Sequence, residues 1–296
     1  MSKKILQKII WTTGILLVLL PVILYGGLAI QRPPRTPLEK QLFSGITYQR
    51  IPYDKPRPFL LHLITVDLKT PGLEFFVSPA VKAPNERWKF PAQTTTTFLE
   101  KYQLKLAING SFFTPFYTKH PLDYYPKPGE LVYVQGQSIS GGIEYSPPGN
   151  GWTVLCVTPQ QTVEIGGVSC PSDTVQGLAG GYQLIEGGNP ARTFTEDEQD
   201  NLYPRTAVGV DGTGDTLYLV VIDGRQPWYS QGVSLAELTD ILLELGSDRA
   251  LVLDGGGSTT LAIEDNGQPK LLNSPIHTRI PLRQRPIANH LGLTVK

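Results

Sequence analysis

The chain has 296 residues with 26 Lys+Arg and 26 Asp+Glu, so its formal net charge is zero. This balance leaves no footprint for nucleic-acid binding, and a hydrophobic fraction of 40% excludes a disordered chain. Thirty glycines and 26 prolines beside one methionine favour short strands and many turns. We therefore expect an α+β fold: a mixed, β-rich sheet core with a few helices.

The first thirty residues form a segment of their own. Lys3, Lys4 and Lys8 precede an uncharged stretch from Ile9 to Ile30, and about 20 apolar residues suffice to cross a bilayer. We predict an N-terminal transmembrane helix over residues 1–30 that acts as a signal-anchor. A cleavable signal peptide is the alternative, because it also combines a basic start with an apolar run. In either case the domain lies on the extracytoplasmic side.

The next segment has the composition of a stalk. Pro33, Pro34 and Pro37 lie among mixed charges, which predicts a semi-extended linker over residues 31–40. The folded domain is then expected to cover residues 41–296.

Two cysteines fit an oxidising compartment. Cys156 and Cys170 lie 14 residues apart across a predicted hairpin, where a disulfide bond forms if the Cα atoms come within about 7 Å. Two free buried thiols are the alternative. A zinc site is not expected, since no further Cys or suitably spaced His lies nearby.

Apolar periodicity predicts two helices and a series of strands. One helix covers Thr94 to Leu104; the other begins at a capping box of Ser234 and Glu237 and stops at Gly246. Residues 114–130, rich in Tyr, Pro and Phe, predict an ordered loop rather than strands. Strands are expected at 59–68, 73–77, 105–108, 131–139, 152–157, 162–165, 206–210, 216–222, 250–253 and 291–295.

The most distinctive motif is Asp254-Gly255-Gly256-Gly257-Ser258-Thr259-Thr260, at the end of a predicted buried strand. Three consecutive glycines suit a backbone with positive φ or one that a ligand approaches closely. N–H groups in such a turn, with the hydroxyls of Ser258 and Thr259, can bind an anion such as phosphate. Asp254 can act as a general acid or base. A tight hairpin whose glycines serve only geometry explains the motif equally well.

Two arginines lie at the ends of other predicted strands. In Asp223-Gly224-Arg225 a strand runs into a glycine turn with a charge on each side. The planar guanidinium of Arg225 suits two phosphate oxygens, and Arg205, just before Thr206, offers a second. Solvated surface charges are the alternative at both places.

A third candidate is Asn109-Gly110-Ser111-Phe112-Phe113. The Asn109 amide can bond a sugar hydroxyl or orient a carboxylate, whereas an Asn in a left-handed turn needs no ligand. The aromatic residues that follow either stack on a sugar ring or pin the loop to the domain. They are Phe116, Tyr117, Tyr124 and Tyr125.

The order of these motifs resembles the phosphodiester glycosidase family, over roughly residues 100–296. The resemblance implies hydrolysis of the bond between a sugar's anomeric carbon and a phosphate. Relatives often show Gly-Pro-Leu where this chain has Gly180-Gly181-Tyr182-Gln183-Leu184, a departure that bears on substrate preference. The motifs are 109–113, 180–184, 205–209, 223–225, the helix from Ser234, 254–260 and 285–289.

The resemblance also implies roles for individual residues. Asp254 and Asp223 are expected in acid/base or nucleophilic roles, with Asn109 as a third catalytic residue that orients the reacting groups. Phosphate and substrate contacts are expected from Arg205, Arg225, Thr206, Gly224, Gly255, Gly256, Gly257, Ser258, Thr259, Ser111, Gly181, Arg285 and Asn289.

The expected function is a glycosidase-type hydrolase that cleaves a sugar 1-phosphodiester of an envelope glycan or exopolysaccharide, in a bacterial periplasm or at a cell surface. No cofactor is required by the sequence, although a divalent cation near Asp254 or Asp223 is compatible with it. A non-catalytic glycan-binding or envelope-organising module is the alternative. A metal-dependent phosphodiesterase is a third hypothesis, which predicts that a chelator inhibits the activity.

Overall fold

The computed structural model describes residues 3–83, 88–196 and 201–295. Within these ranges it contains three α-helices: α1 Lys3–Ile30, α2 Thr95–Lys101 and α3 Leu235–Glu244. Over the described residues no helix is both long enough and apolar enough to span a membrane. The predicted transmembrane helix at residues 1–30 therefore has no support from the structure.

Strands dominate the rest of the chain, as the glycine and proline content predicts, and they form several sheets. In chain order they are β1 Leu38–Phe43, β2 Ile46–Tyr53, β3 Phe59–Asp67, β4 Leu73–Val77, β5 Val81–Lys82, β6 Trp88–Pro91, β7 Leu106–Asn109, β8 Phe113–Thr114, β9 Tyr117–His120, β10 Asp123–Tyr125, β11 Leu131–Val134, β12 Ser138–Ser140, β13 Ile143–Ser146, β14 Val154–Val157, β15 Val163–Ile165, β16 Gln176–Ala179, β17 Gln183–Glu186, β18 Asn189–Pro190, β19 Arg205–Asp211, β20 Thr216–Ile222, β21 Ser247–Val252, β22 Leu261–Asp265, β23 Gln268–Leu271 and β24 His290–Val295.

The largest sheet has the order β1-β2-β3-β20-β19-β21-β17-β18 and is buried on both faces. Side chains alternate between the two faces of a strand. In β20, Leu219 and Val221 belong to the main core, whereas Val220 and Ile222 pack with α3. The sheet β23-β22-β7-β24-β4 contributes Leu106 and its neighbours to the main core. The domain is thus layered, with α3 on one face of the large sheet.

Most predicted elements are present, with ends shifted by a few residues. The strands at 59–68, 73–77 and 216–222 are confirmed, and so is the capping box of α3. The predicted loop at 114–130 is wrong in part, because β9 and β10 pair as a hairpin inside it.

The proline-rich segment 31–40 lies against the domain. The guanidinium of Arg32 is 4.4 Å from the ring centroid of Tyr229, and the Tyr229 hydroxyl donates to the Pro33 carbonyl at 2.9 Å. Strand β1 already begins at Leu38. The segment is therefore packed onto the fold along part of its length, rather than standing away from it as a stalk.

Antiparallel pairing brings several strand ends to one edge. Arg205 at the start of β19 pairs with Ile222 at the end of β20, and Ala207 pairs with Val252 at the end of β21. In the second sheet, the last residue of β7 pairs with the first of β24. The glycine turns that the sequence singles out leave these strand ends.

The predicted disulfide bond is confirmed. The sulfur atoms of Cys156 and Cys170 are bonded, with the Cα atoms 5.6 Å apart. Cys156 lies in β14, and the bond ties the segment after β15 back onto that sheet.

Removing this bond is expected to destabilise the domain. A loop of about 15 residues closed by a disulfide contributes roughly 3 kcal/mol in the chain-entropy account, so the double variant Cys156→Ala/Cys170→Ala should lose about that much free energy of unfolding. Denaturant titration of the variant and of the wild type, each with and without reductant, measures the loss. A wild type that keeps its full stability after verified reduction would contradict the prediction.

Candidate functional site

The strand ends surround a pocket of about 700 Å³, here called the arginine pocket. Four arginines line it, together with a single carboxylate among the described residues, that of Asp254. Such a charge balance suits an anionic ligand. Its lining is Phe112, Phe116, Thr118, Asn201, Leu202, Tyr203, Arg205, Arg225, Leu253, Asp254, Gly255, Gly256, Gly257, Ile276, Thr278, Arg279 and Arg285.

Asp254 is held in place by a serine and an arginine. The Ser258 hydroxyl donates to Asp254 Oδ2 at 2.5 Å and accepts from Arg285 Nη1 at 3.0 Å, and Nη1 itself lies 4.0 Å from Oδ2. Burial raises the pKa of Asp254 above its ordinary value, against the lowering effects of Arg285, Ser258 and Arg225. The carboxyl is therefore oriented and poorly hydrated, as a reacting group needs to be.

The three glycines of the turn make room for arginines and for neighbouring backbone. A Cβ atom on Gly257 would lie 2.6 Å from Arg285 Nη2, and one on Gly256, where φ is +61°, would lie 3.2 Å from Arg225 Nη1. A Cβ on Gly255 would lie 2.9 Å from the Pro204 carbonyl. The glycines thus allow close approach by arginine side chains and by backbone of the same chain, rather than by a ligand.

The expected anion nest is not formed by the turn as a whole. The N–H of Gly256 donates to the Pro204 carbonyl at 2.8 Å, and that of Ser258 donates to the Gly255 carbonyl at 3.2 Å. With these groups occupied internally, the positive charge that an anion meets comes mainly from guanidinium groups.

Substituting Gly257 by Ala should therefore disturb Arg285. Gly257 does not have a positive φ, so the main cost of the new methyl group is its contact with the guanidinium. We expect a loss of about tenfold to a hundredfold in kcat/KM, since displacements near 1 Å cost that much, with little change in Tm. Gly212→Ala is the matched control, because its Cβ would meet only Asp248 at an ordinary 3.7 Å. Full activity in Gly257→Ala would argue against a role for Arg285.

Aromatic rings support the arginines. The Tyr203 ring centroid lies 4.5 Å from the guanidinium carbon of Arg225 and 5.1 Å from that of Arg205, and the Phe116 ring lies 4.2 Å from Arg285. These cation–π contacts orient the charges without neutralising them. The loop ring Phe116 thus packs on an arginine of the pocket.

Three residues of the pocket have positive φ without being glycine. The φ angles are +56° at Arg225, +55° at Thr278 and +62° at Arg279. Each such conformation costs on the order of 1–3 kcal/mol and is typical of functional sites, where the surrounding structure imposes it.

Asn109 lies behind the turn rather than in the pocket. Its side chain is fully buried: Nδ2 donates to the Asp254 carbonyl at 2.6 Å, and Oδ1 accepts from Thr206 Oγ1 at 2.8 Å and from Thr260 N at 3.0 Å. The predicted catalytic contact is not made, because the amide is used to join β7, β19 and the Asp254 turn. Its orienting effect reaches the carboxyl through the backbone.

Six more predicted contact residues are also buried and do not line the arginine pocket: Thr206, Ser258, Thr259, Ser111, Asn289 and Gly224. Asn289 Nδ2 donates to Ser111 Oγ at 3.1 Å, and Asn289 Oδ1 accepts from the Ser111 N–H at 2.8 Å, so these two brace each other. Gly224 is buried, and a Cβ there would lie 2.5 Å from Pro204 N. Thr259 is 1% exposed. These positions shape the turns and do not line the arginine pocket.

Asp223 is not brought into the pocket with Asp254. It is 1% exposed, and its carboxylate lies 3.1 Å from His62 Nε2 while accepting from Asn273 Nδ2 at 3.0 Å and Ser274 N at 2.9 Å. His62 Nδ1 in turn lies 2.8 Å from the Tyr48 hydroxyl. The predicted pair of reacting aspartates is replaced by one aspartate in the pocket and one in a buried network.

A second cavity of about 480 Å³ adjoins the first and is here called the aromatic pocket. It shares Phe112, Asn201, Tyr203 and Arg205 with the arginine pocket. Gly181 is the other predicted contact residue in it. The rest of its lining is Asn150, Gly151, Trp152, Tyr182, Leu235 and Val252.

Sequence reasoning missed Arg279, Tyr203 and Thr278. Arg279 and Thr278 lie in an irregular segment with no strand or glycine signal beside them, and their side chains enter the site through unusual backbone angles. Tyr203 has no sequence signal, because its role depends on the stacking of Arg205 and Arg225 on its ring. No group of three or more His, Cys, Asp or Glu side chains that could hold a metal ion occurs in the described part of the chain.

The family model for phosphodiester glycosidases matches residues 102–294. Over 89 residues the chain is 33% identical to the SPbeta prophage-derived uncharacterized protein YomE of Bacillus subtilis, an aligned part that is 29% of this chain and 14% of that protein.

Two solved structures share the fold. A hypothetical protein from Synechocystis superposes with a TM-score of 0.65 at 18% identity, covering 90% of this chain and 64% of the other. The zebrafish N-acetylglucosamine-1-phosphodiester alpha-N-acetylglucosaminidase catalytic domain, auto-inhibited by its pro-peptide, superposes with a TM-score of 0.60 at 21% identity, covering 90% of this chain and 87% of that domain. With a family match over most of its folded part, the chain belongs to the phosphodiester glycosidase family.

Proposed function

We propose that this protein is a hydrolase that cleaves the bond between the anomeric carbon of a sugar and the phosphate of a sugar 1-phosphodiester. The observation that carries the proposal is Asp254, an oriented and poorly hydrated carboxyl in a pocket lined by four arginines. The arginines suit the phosphate, and the carboxyl suits the anomeric carbon. Family membership supports the reaction class.

One carboxylate is sufficient for this reaction. The leaving group is a phosphate monoester, a weak base that departs without a proton when guanidinium groups stabilise its charge. Many glycosidases need a second carboxyl to protonate a much more basic alcohol. Here the carbon–oxygen bond breaks with its electron pair on phosphate, and Asp254 serves as the nucleophile or as the base that takes the proton of the attacking water.

The proposed setting is outside the cytoplasm, with an envelope glycan or exopolysaccharide as the substrate. A disulfide bond is typical of proteins in oxidising compartments. Immunodetection in fractionated cells of the source organism tests this: recovery of the protein in the cytoplasmic fraction, with both thiols reduced, would contradict it.

The activity is tested by incubating the full chain with methyl diesters of N-acetylglucosamine 1-phosphate and glucose 1-phosphate. We expect free sugar and methyl phosphate in equal amounts, and NMR of the first sugar released shows whether configuration is retained or inverted. Tight binding without product on prolonged incubation would favour the glycan-binding alternative. Loss of turnover with chelator, restored by a divalent cation, would favour a metal-dependent phosphodiesterase.

A further inference from the structure

The aromatic pocket lies beside the arginine pocket, because Arg205 and Tyr203 line both. A ligand held by its phosphate in the arginine pocket can therefore extend a second group into the aromatic pocket. Its volume of about 480 Å³ is in the range of small-molecule sites. The question is which chemical group this cavity fits.

One wall is a tyrosine held by stacking. The guanidinium carbon of Arg192 lies 3.9 Å from the ring centroid of Tyr182, and Tyr182 remains 48% exposed. Arg192 therefore covers one face of the ring, and the rest of the ring is left to line the pocket.

A second wall is built from Trp152 and Phe112. Their ring centroids lie 5.5 Å apart with the planes tilted by 44°. Gly181 allows this packing, because a Cβ there would lie 3.1 Å from Phe112 Cε2. The absence of a side chain at Gly181, just before β17, thus leaves room for the Phe112 ring.

Polar groups complete the lining. Asn150 and Asn201 line the same pocket as these rings, and an amide side chain both donates and accepts hydrogen bonds. Aromatic faces beside amides match a pyranose, which has C–H groups on its faces and hydroxyl groups on its edge.

We propose that the aromatic pocket is a carbohydrate subsite, in which Tyr182 and Trp152 hold a pyranose ring of the molecule whose phosphate lies in the arginine pocket. This inference rests on the proposed function for the position of the phosphate. The ring has two sources: the sugar whose anomeric bond is cleaved, or a sugar alcohol on the other side of the phosphate.

Calorimetric titration of the full chain with inorganic phosphate, glucose 1-phosphate and glucose 6-phosphate tests the subsite. We expect at least one sugar phosphate to bind more tightly than inorganic phosphate. Tyr182→Ala should weaken that sugar phosphate about tenfold, the loss of one aromatic platform, and leave inorganic phosphate unchanged. Sensitivity of glucose 1-phosphate identifies the cleaved sugar as the occupant, and sensitivity of glucose 6-phosphate identifies the sugar alcohol.

Tyr182→Phe is the matched control, since it keeps the ring and should keep the affinity. Trp152→Ala, with its Tm measured, provides a second disruption of the same pocket. The subsite is overturned if neither sugar phosphate binds better than inorganic phosphate, or if both alanine variants keep the full difference. The titration needs no turnover, so a chain that binds sugar phosphates through Tyr182 without hydrolysing any diester would refute the proposed function and retain the subsite.

Discussion

Asp254→Asn is expected to lower kcat for a sugar 1-phosphodiester by about 10²–10⁴, the range for removing a positioned acid–base group. The amide is nearly isosteric with the carboxyl, so its oxygen can still accept from Ser258 and lie beside Arg285. It cannot act as a nucleophile or take a proton, however. Release of free sugar by purified wild type and variant, at saturating substrate, measures the loss.

The same substitution should not destabilise the fold. Burial raises the pKa of Asp254 above its ordinary value of 3.8, so the folded state disfavours the ionised form relative to the unfolded chain. The stability that comes from the protonated form is fully present below pH 3.8 and is lost as pH rises through the raised pKa. The amide of the variant does not ionise and carries no such dependence, so the Tm of Asp254→Asn at neutral pH should equal or exceed that of the wild type.

Ser258→Ala separates orientation from chemistry at the same carboxyl. It removes the hydroxyl that joins Asp254 to Arg285 but leaves both charged groups. A smaller loss of kcat than in Asp254→Asn is expected. If Asp254→Asn kept full turnover, the reaction would not depend on this carboxyl, and the site assignment would fail.

How much of the fold and of the site could be predicted from the sequence depends on how far apart in the chain the interacting residues lie. The capping box of α3 and the hairpin β19–β20 involve near neighbours, so local patterns specify them. The turn at residues 254–260 was recognisable because three consecutive glycines have few other uses. Its partner Arg285 lies 27 residues further along, and no pattern joins the two.

The role of Asp223 shows where sequence reasoning ends. An aspartate after a buried strand, followed by Gly and Arg, has the same local pattern whether it faces a ligand or the interior. The contact with His62 places the Asp223 carboxylate in the interior, and His62 lies 161 residues earlier in the chain. Asn109 is similar, since its amide meets Thr206 across 97 residues. The sequence motifs predict where the turns are. Which of their side chains face the pocket depends on contacts between residues far apart in the sequence.

Arg285→Ala is expected to lower kcat/KM by about 10²–10³, the cost of removing a group that stabilises developing charge. Arg285 lines the arginine pocket, donates to Ser258 and lies 4.0 Å from Asp254, so in the proposed reaction it faces both the phosphate and the carboxyl. Its guanidinium stacks on Phe116, and its side chain is only 11% exposed. The variant therefore also leaves a cavity, and its Tm must be measured.

The pH profile distinguishes an electrostatic role from a packing role. Arg285 is the largest of the influences that lower the pKa of Asp254 against the effect of burial. Without it that pKa should rise further, and because the proposed reaction requires the ionised carboxylate, the acidic limb of the profile should move to higher pH. Arg285→Lys keeps the charge while losing the planar fork, so its acidic limb should stay near that of the wild type although kcat/KM falls. An unshifted limb in Arg285→Ala would show that the arginine does not tune Asp254.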